Sequence, residues 1–249
     1  LECYAGLGIT EIIISDEYFG VFPSHAEKVV ELLTKYGFYW RCMTRANYLG
    51  DHLEDWSESG FAGAHIGIES FNQNTLDAIG KRELTDVTID VVKRLHEMSR
   101  VILGFYMIGF EDETAASIKE DIKRLADLKL DMTQICILTP LPKSKLWYEI
   151  AEKYGIFEKD WSKFDLHHLV WNHPHLSSEK AERLLEWSLR EVHPTAGFFR
   201  TAKKILDIYN GDGRFLGGLR YLTSSMVRAN RFDYFPQKIR LLQVSPQFL

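Results

Sequence analysis

Cysteine is scarce in this sequence, and its spacing excludes the structures that cysteines usually build. Only three occur among 249 residues, at positions 3, 42 and 136, so the chain has no CxxC pair and no even number for a disulfide framework. We expect a cytoplasmic protein in which each cysteine is a small core residue. The sequence also lacks a run of about 18 apolar residues, which argues against a membrane-spanning helix.

The start of the chain, at Leu1, lacks both a methionine and a signal segment. We therefore expect it to be a piece of a longer protein. Apolar residues make up 45% of the composition and aromatic residues 13%. These fractions suit a protein with a sizeable core and argue against a disordered or fibrous chain.

Positive charge is concentrated near the end of the chain. Residues 195–249 hold nine basic and three acidic residues, a net charge of +6, and since the whole chain carries −5 the remainder carries −11. This stretch, which is also rich in aromatic side chains, either contacts an anionic substrate, a partner or a membrane surface, or is a solvated helical face docked on the acidic body. If the stretch contacts a membrane surface, the protein is cytoplasmic and also associates peripherally with a membrane. We expect no nucleic-acid partner.

Five short apolar runs alternate with helical patterns. The runs cover residues 8–15, 38–44, 63–69, 101–108 and 133–139. Several are apolar at consecutive positions, which is typical of strands covered on both faces in a parallel sheet. Apolar residues at helical spacing fill the gaps, and Gly37, Gly60 and Gly155 stand where helix C-caps are expected.

The alternation of strand and helix predicts parallel strands joined by right-handed crossovers. Five such units without a dinucleotide-binding glycine fingerprint favour a barrel, or part of one, and an open doubly wound sheet stays the alternative. We predict an α/β barrel domain at residues 1–155 and a helical C-terminal region at residues 156–249. Helices are expected in that region near 178–193, 196–210 and 214–230.

Charged and turn-forming residues directly follow the predicted strands. They are Asp16 and Glu17 after the first run, Arg45 after the second, Glu69 after the third, Gly109, Phe110 and Glu113 after the fourth, and Pro140, Leu141 and Pro142 after the fifth. Ligands bind at the carboxyl ends of the strands in parallel barrels. We therefore expect these side chains to converge on a polar, zwitterionic or cationic ligand.

Structural roles are the alternatives for these residues. Glu69 would cap the helix near Asn72, and Asp16 or Glu17 would cap the helix that follows the first run. Arg45 would pair with one of the acids. Gly109 would only meet the requirement of a turn, and Pro140 and Pro142 would stiffen a loop. Glu113 would be a favourable acid in the first turn of a helix, near the positive end of the helix dipole.

Four histidines crowd into residues 167–175, and a fifth, His65, stands inside the third run. The cluster lacks the i, i+4 spacing of helical zinc sites, which favours a structural linker over a metal site. We expect His65 to be a core histidine.

Five motifs in order resemble those of the radical S-adenosylmethionine (SAM) enzymes, in particular the branch whose members carry an N-terminal cobalamin-binding domain. They read IIISDEYFG, WRCMTRAN, GFAGAHIGIESFNQNTLDAIGK, GFYMIGFEDET and ILTPLPKSKLW, and HHLVWNHPHLSSEKAERLLEW is similar to the segment after the barrel in that branch. The resemblance covers residues 1–193. It implies a partial (βα)6 barrel of TIM-like type, of which this chain holds strands two to six.

The resemblance also implies cofactors. Family members hold a [4Fe–4S] cluster in a CxxxCxxC loop, cleave SAM reductively and generate a 5′-deoxyadenosyl radical that activates a C–H bond. An electron donor such as flavodoxin or ferredoxin supplies the electron, and in the cobalamin branch methylcobalamin can deliver a methyl group to an unreactive carbon. This sequence has no CxxxCxxC. The cluster ligands and any cobalamin domain are expected outside the printed sequence, and the chain alone should be inactive.

The resemblance assigns the methionine end of SAM to three of the strand ends. Asp16 and Glu17 match the acidic motif that holds the amino group of the ligand. Glu69 matches the position that contacts its methionine or ribose portion. Either Arg45 or Lys81 pairs with the ligand carboxylate.

Two further turns are assigned to the adenine by the same resemblance. Gly109 and Phe110 match the motif beside the adenine, and Leu141 and Pro142 match the turn that offers it backbone groups. Where the family often has Pro-Gly-Thr, this chain has Lys143 and Ser144 after the proline, so the geometry of this turn is open.

The function predicted from the sequence is thus C–H activation, with methyl transfer to a lipid or another apolar small molecule as its finer form. One alternative is a barrel lyase or hydrolase that uses the strand-end carboxylates for acid–base chemistry without a cluster. Another is a non-catalytic binding domain.

Overall fold

A computed structural model describes residues 1–81, 83–193 and 195–210 of the chain. They contain a five-stranded sheet of β1 (Glu11–Ile14), β2 (Tyr39–Thr44), β3 (Phe61–Glu69), β4 (Val101–Ile108) and β5 (Met132–Ile137). All four strand pairs are parallel, and the strands lie in the order of the chain. A doubly wound sheet reverses its strand order at one point. The observed order therefore excludes that alternative, and the sheet is a half-barrel.

Helices connect the strands as the alternating pattern predicts. They are α1 (Glu2–Gly6), α2 (Pro23–Lys35), α3 (Ala46–Ser57), α4 (Gln73–Ala78), α5 (Thr85–Glu97), α6 (Ala115–Asp127), α7 (Lys145–Lys153), α8 (Ser178–Val192) and α9 (Thr195–Asn210), with a 3-10 turn at Trp161–Lys163. The predicted strands and crossover helices are confirmed to within a few residues. Periodicity does not reveal α1 and α4, because helices of five and six residues are too short to show an apolar stripe.

Local sequence explains where the helices begin and end. Thr114 caps α6 in a capping box with Ser117, and the Asn72 side chain accepts two amides at the start of α4. Asn72, and not Glu69, therefore caps that helix. The three glycines expected at helix ends, at positions 37, 60 and 155, have positive φ angles, as left-handed C-caps require.

Helices cover only one face of the sheet. In β3 the side chains of Ala64, Ile66 and Ile68 are buried on the helix side, whereas His65 and Glu69 on the other side are partly exposed. A similar alternation runs along β4 and β5. The expectation of strands covered on both faces is therefore wrong for the described residues. Their second face is the concave inside of the half-barrel, which no second layer of described helices covers.

The region after the barrel packs on one side of it. Helix α8 lies against α6 and β5, and Ile205 of α9 packs on Val101 at the start of β4. Residues 211–249 lie outside the described residues, and with them most of the basic stretch and the helix expected at 214–230. Within the described ranges, no helix is both long and apolar enough to cross a membrane.

Candidate functional site

Two carboxylates are exposed at the rim of the half-barrel, where the carboxyl ends of the parallel strands meet. Asp16 and Glu17 follow β1, and neither forms a hydrogen bond or an ion pair with the residues that the structure describes. Burial raises the pKa of the Cys42 thiol far above its usual range, and the charge of Asp16 adds to that effect. Both acids are therefore open to a ligand at the rim.

Arg45 lies at the same rim, immediately before α3. Its side chain is exposed, and its guanidinium stacks over the ring of Tyr18 at 5.2 Å from the ring centre. Among the described residues no carboxylate lies within ion-pair distance of Arg45. The ion-pair alternative is therefore wrong for this part of the chain, and Arg45 contacts instead the residue that follows Glu17.

Glu69 ends β3 in a left-handed backbone conformation, with a φ angle of 64° that is unusual for a residue other than glycine. Its carboxylate folds back over Gly67, and Oε1 lies 3.7 Å from Nζ of Lys81. Burial raises the pKa of Glu69, and the charge of Lys81 opposes that effect. Glu69 is thus a partly buried carboxylate held by one internal cation.

Lys81 makes several contacts inside the rim. Its Nζ donates a hydrogen bond to the carbonyl of Gly67 and lies 3.4 Å from Oε2 of Glu83. Glu83 is only 3% exposed, and its Oε1 accepts the amide of Asn47 at 2.8 Å. Sequence reasoning misses Glu83, because it follows a glycine turn and belongs to no strand or helical pattern.

The turn after β4 is closed by Glu113. Its Oε2 accepts the amide of Gly109 at 2.6 Å and the amide of Phe110 at 2.9 Å. Burial raises the pKa of Glu113 to about 7, although the two amides act in the opposite direction. Glu113 precedes Thr114, the N-cap of α6, so the expectation that it lies in the first turn of the helix is wrong.

The turn after β5 lies beside the turn after β4, because the amide of Leu138 donates to the carbonyl of Ile108 at 2.8 Å. Leu141 and Pro142 in this turn are exposed. Lys143 has a φ angle of 66°, a conformation that favours glycine. Lys143 stands where the family often has glycine, so its backbone is strained in this conformation.

The concave face below the rim is largely apolar. Its partly exposed side chains include Met43, His65, Leu103, Phe105, Met107 and Cys136. Burial, and after it the charge of Arg41, lowers the pKa of His65 to about 4, so this histidine is neutral at pH 7. The expectation that His65 belongs to the core needs correction, since it lies on the open face beside the Phe105 ring.

The histidines of residues 167–175 contact the backbone and nearby side chains of their own segment and of the turn after β4. His168 Nδ1 lies 2.9 Å from the carboxylate of Asp165, and His173 Nε2 lies 2.7 Å from the carbonyl of Phe110. In the described ranges, no group of three His, Cys, Asp or Glu side chains is arranged to hold a metal ion.

Comparisons with known proteins relate this chain to one family. The family model of the radical SAM superfamily matches residues 1–125. An uncharacterized methyltransferase of Pyrococcus horikoshii is 30% identical over 182 residues, which are 72% of this chain and 39% of that protein. Bacteriochlorophyllide d C-12(1)-methyltransferase of Chlorobaculum tepidum is 25% identical over 66% of this chain and 36% of that protein.

Among solved structures, the radical SAM methyltransferase TsrM of Kitasatospora setae, with cobalamin and a [4Fe–4S] cluster bound, has a TM-score of 0.55 to this chain. The match is 16% identical and covers 61% of this chain and 32% of TsrM, so it bears on the fold alone. The chain spans less than half the length of the curated relatives described above.

Proposed function

Because the chain belongs to the radical SAM superfamily, we propose that its rim holds SAM within a longer enzyme that activates a C–H bond. One observation carries the proposal. Asp16 and Glu17 are exposed and have no hydrogen-bond or ion-pair partner among the described residues, and Arg45 at the same rim lies over the ring of Tyr18, the residue next to Glu17. Such a set matches a zwitterion, because carboxylates bind an ammonium group and a guanidinium binds a carboxylate.

Each end of the ligand has its own residues in this proposal. Asp16 and Glu17 accept hydrogen bonds from the ammonium group, and Arg45 pairs with the carboxylate. Arg45 is favoured over Lys81 because Lys81 is already engaged by Gly67 and two acids. Lys81 instead holds Glu69, whose oxygens accept from the ribose or the methionine portion.

The adenine is assigned to the two adjoining turns. Gly109 and Phe110 line one side, and the backbone at Leu141 and Pro142 lines the other. The hydrogen bond between β5 and β4 at Leu138 supports this pairing, because it keeps the two turns next to each other.

The thiols of this chain do not fit an iron–sulfur cluster. Cys3 is exposed, Cys42 is buried, and burial raises the pKa of both Cys42 and Cys136, whereas cluster ligands are thiolates. We therefore assign the cluster ligands to residues outside the printed sequence. A cluster held there would supply the electron for the reductive cleavage of SAM, and this chain's own residues would hold the SAM molecule at the rim.

We propose further that the radical serves methyl transfer to an unreactive carbon, with cobalamin bound outside the printed sequence. Two curated relatives are named methyltransferases, which supports the reaction type. The apolar side chains on the concave face support an apolar substrate, a lipid or another small molecule, since they would contact it below the rim. A flavodoxin or ferredoxin as electron donor and membrane contact through residues 195–249 remain predictions.

The test uses the full-length protein that contains this chain. It is reconstituted anaerobically with iron and sulfide, reduced, and assayed for 5′-deoxyadenosine and for SAM affinity. We expect 5′-deoxyadenosine to form, and we expect Glu69→Ala to weaken SAM binding about tenfold, as loss of a charged hydrogen-bond acceptor does.

Glu97→Ala is the matched control, because Glu97 is an exposed acid at the opposite end of the barrel, where α5 ends. It should leave SAM affinity unchanged. Equal affinity of wild type and Glu69→Ala would show the site assignment to be wrong. Turnover by protein without iron would favour the lyase or hydrolase instead.

A further inference from the structure

The segment that follows the barrel, which contains Trp171 and His173, contacts both of the turns assigned to the adenine. His173 Nε2 lies 2.7 Å from the carbonyl of Phe110 in the turn after β4. Two residues earlier, Trp171 Nε1 donates to the carbonyl of Leu138 at 3.1 Å, where the turn after β5 begins. Both side chains are buried, and their rings lie 4.9 Å apart. One short segment therefore reaches both turns.

The hydrogen bonds of His173 fix its tautomer. Nδ1 accepts the amide of His175 at 3.1 Å and the amide of Leu176 at 3.2 Å. A nitrogen that accepts two amides carries no proton, so the proton is on Nε2 and is donated to Phe110. His173 thus connects the segment after the barrel to one carbonyl in the turn.

The Phe110 turn is then held from two sides. Glu113 accepts its amides, and His173 donates to its carbonyl. Gly109 in this turn has a φ angle of 85° and no side chain to fix it by packing. A turn of this kind contributes more to affinity when its conformation is set before the ligand arrives, because ordering it during binding costs free energy.

We propose that His173 is a positioning residue for SAM, which acts through the Phe110 carbonyl, and that Trp171 supports it by holding the neighbouring turn. The inference rests on the proposed function, since it needs the two turns to contact the nucleoside. It extends that function to a part of the chain that forms no strand of the barrel.

Acid would release this contact. Protonation of Nδ1 would place a new N–H group against the amide N–H groups of His175 and Leu176. Donors cannot hydrogen-bond to one another, so the imidazolium cannot keep its present position and its contact with Phe110. Burial lowers the pKa of His173 most, and the charge of His175 adds to that effect. The hydrogen bond to Phe110 opposes it, as do the charges of Asp112 and Glu111. The contact is therefore intact at pH 7, and it is lost below the ordinary histidine range, which centres near pH ~6.5.

The experiment uses the full-length, cluster-reconstituted protein and three variants. His173→Leu removes the contact. His173→Gln keeps an N–H donor for Phe110 and an acceptor for the two amides. His168→Leu is the matched control, because His168 lies in the same segment and contacts Asp165 within it. The Kd for SAM is measured from pH 5 to 7, together with kcat and KM for 5′-deoxyadenosine formation and a thermal unfolding curve.

We expect His173→Leu to raise the Kd and KM for SAM about tenfold, a factor typical of one lost buried hydrogen bond, with little change in kcat. His173→Gln should restore most of the affinity and abolish the fall in affinity that the wild type shows at acidic pH. Titration of SAM itself is common to both proteins and cancels in their ratio. His168→Leu should match the wild type.

The outcomes separate this inference from the proposed function. If the wild type binds SAM and His173→Leu binds it equally well, His173 has no positioning role. A wild type that binds no SAM overturns the proposed function and the inference with it. Should His173→Leu fail to fold, the comparison of His173→Gln with the wild type decides, and parallel pH profiles of the two would overturn the inference.

Discussion

Lys81 compensates Glu83 at the rim, with 3.4 Å between its Nζ and the Oε2 atom of the glutamate. Glu83 is almost fully buried, and this Oε2 has no hydrogen bond among the described residues. The carboxylate therefore depends on the ammonium group of Lys81, which also faces Glu69.

Removal of that ammonium group should destabilise the protein strongly. We expect Lys81→Met to lower the free energy of unfolding by about 3 kcal/mol, because it leaves an uncompensated buried charge. Urea unfolding at pH 7 measures the change. Lys145→Met is the control, since Lys145 forms an exposed pair with Glu149 and should cost less than about 0.5 kcal/mol. Equal losses in the two variants would contradict this account of Lys81.

Substitution of Gly67 tests the place of the Glu69 side chain. A Cβ atom on Gly67 would overlap Oε1 of Glu69 and lie 2.9 Å from Nζ of Lys81. Gly67→Ala should therefore displace the carboxylate and, under the proposed function, weaken SAM binding by the full-length protein about tenfold or more. Gly6→Ala is the control, because nothing lies within 4 Å of the added methyl group there. Unchanged SAM affinity in Gly67→Ala would mean that the position of Glu69 is immaterial to binding.

Because the pKa of Glu113 is raised, we expect the stability of the protein to depend on pH. Its pKa of about 7 in the folded protein exceeds its ordinary value of 4.5, so the folded state binds the proton more tightly than the unfolded state. The contribution of Glu113 to the free energy of unfolding is then fully present below pH 4.5 and is lost as the pH rises through about 7. At pH 8 the loss amounts to roughly 3 kcal/mol.

Glu113→Gln should remove this dependence, since its amide oxygen still accepts the two turn amides without a buried charge. Urea unfolding at pH 5 and pH 8 is the measurement. The variant should gain stability relative to the wild type at pH 8 and little at pH 5. Glu120→Gln changes an exposed acid on α6 and should follow the wild type at both values. Parallel pH curves for Glu113→Gln and the wild type would contradict the shift.

The limits of sequence reasoning are visible in these residues. The strand ends at Glu69 and Gly109 follow from apolar runs, because a run and its end are local features of the chain. The roles of Glu83 and His173 cannot be predicted in this way, because each depends on a contact with a residue distant in sequence. Glu83 accepts the amide of Asn47, and His173 contacts the carbonyl of Phe110. The open concave face could not be predicted either, because a run of apolar residues is typical both of a strand covered on both faces and of a strand in a half-barrel.

A buried ion pair at the opposite end of the barrel allows the docking of α9 to be tested. Lys204 Nζ lies 2.8 Å from the carboxylate of Asp131 and also contacts the ring of His96 and the carbonyl of Arg100. Burial lowers the pKa of Lys204, and the charge of Asp131 opposes that effect. The lysine thus joins α9 to the segments that lead into β4 and β5.

Lys204→Met should leave Asp131 buried without a cation and destabilise the protein by about 3 kcal/mol. Limited proteolysis should then cut within or before α9 sooner than in the wild type, because the helix loses its polar attachment to the barrel. Lys203→Met is the neighbouring control, since Lys203 is exposed on the same helix and should change the free energy of unfolding by less than about 0.5 kcal/mol. Equal cleavage rates in the Lys204→Met and Lys203→Met proteins would show that α9 is held by its apolar contacts, such as Ile205 on Val101, and not by this ion pair.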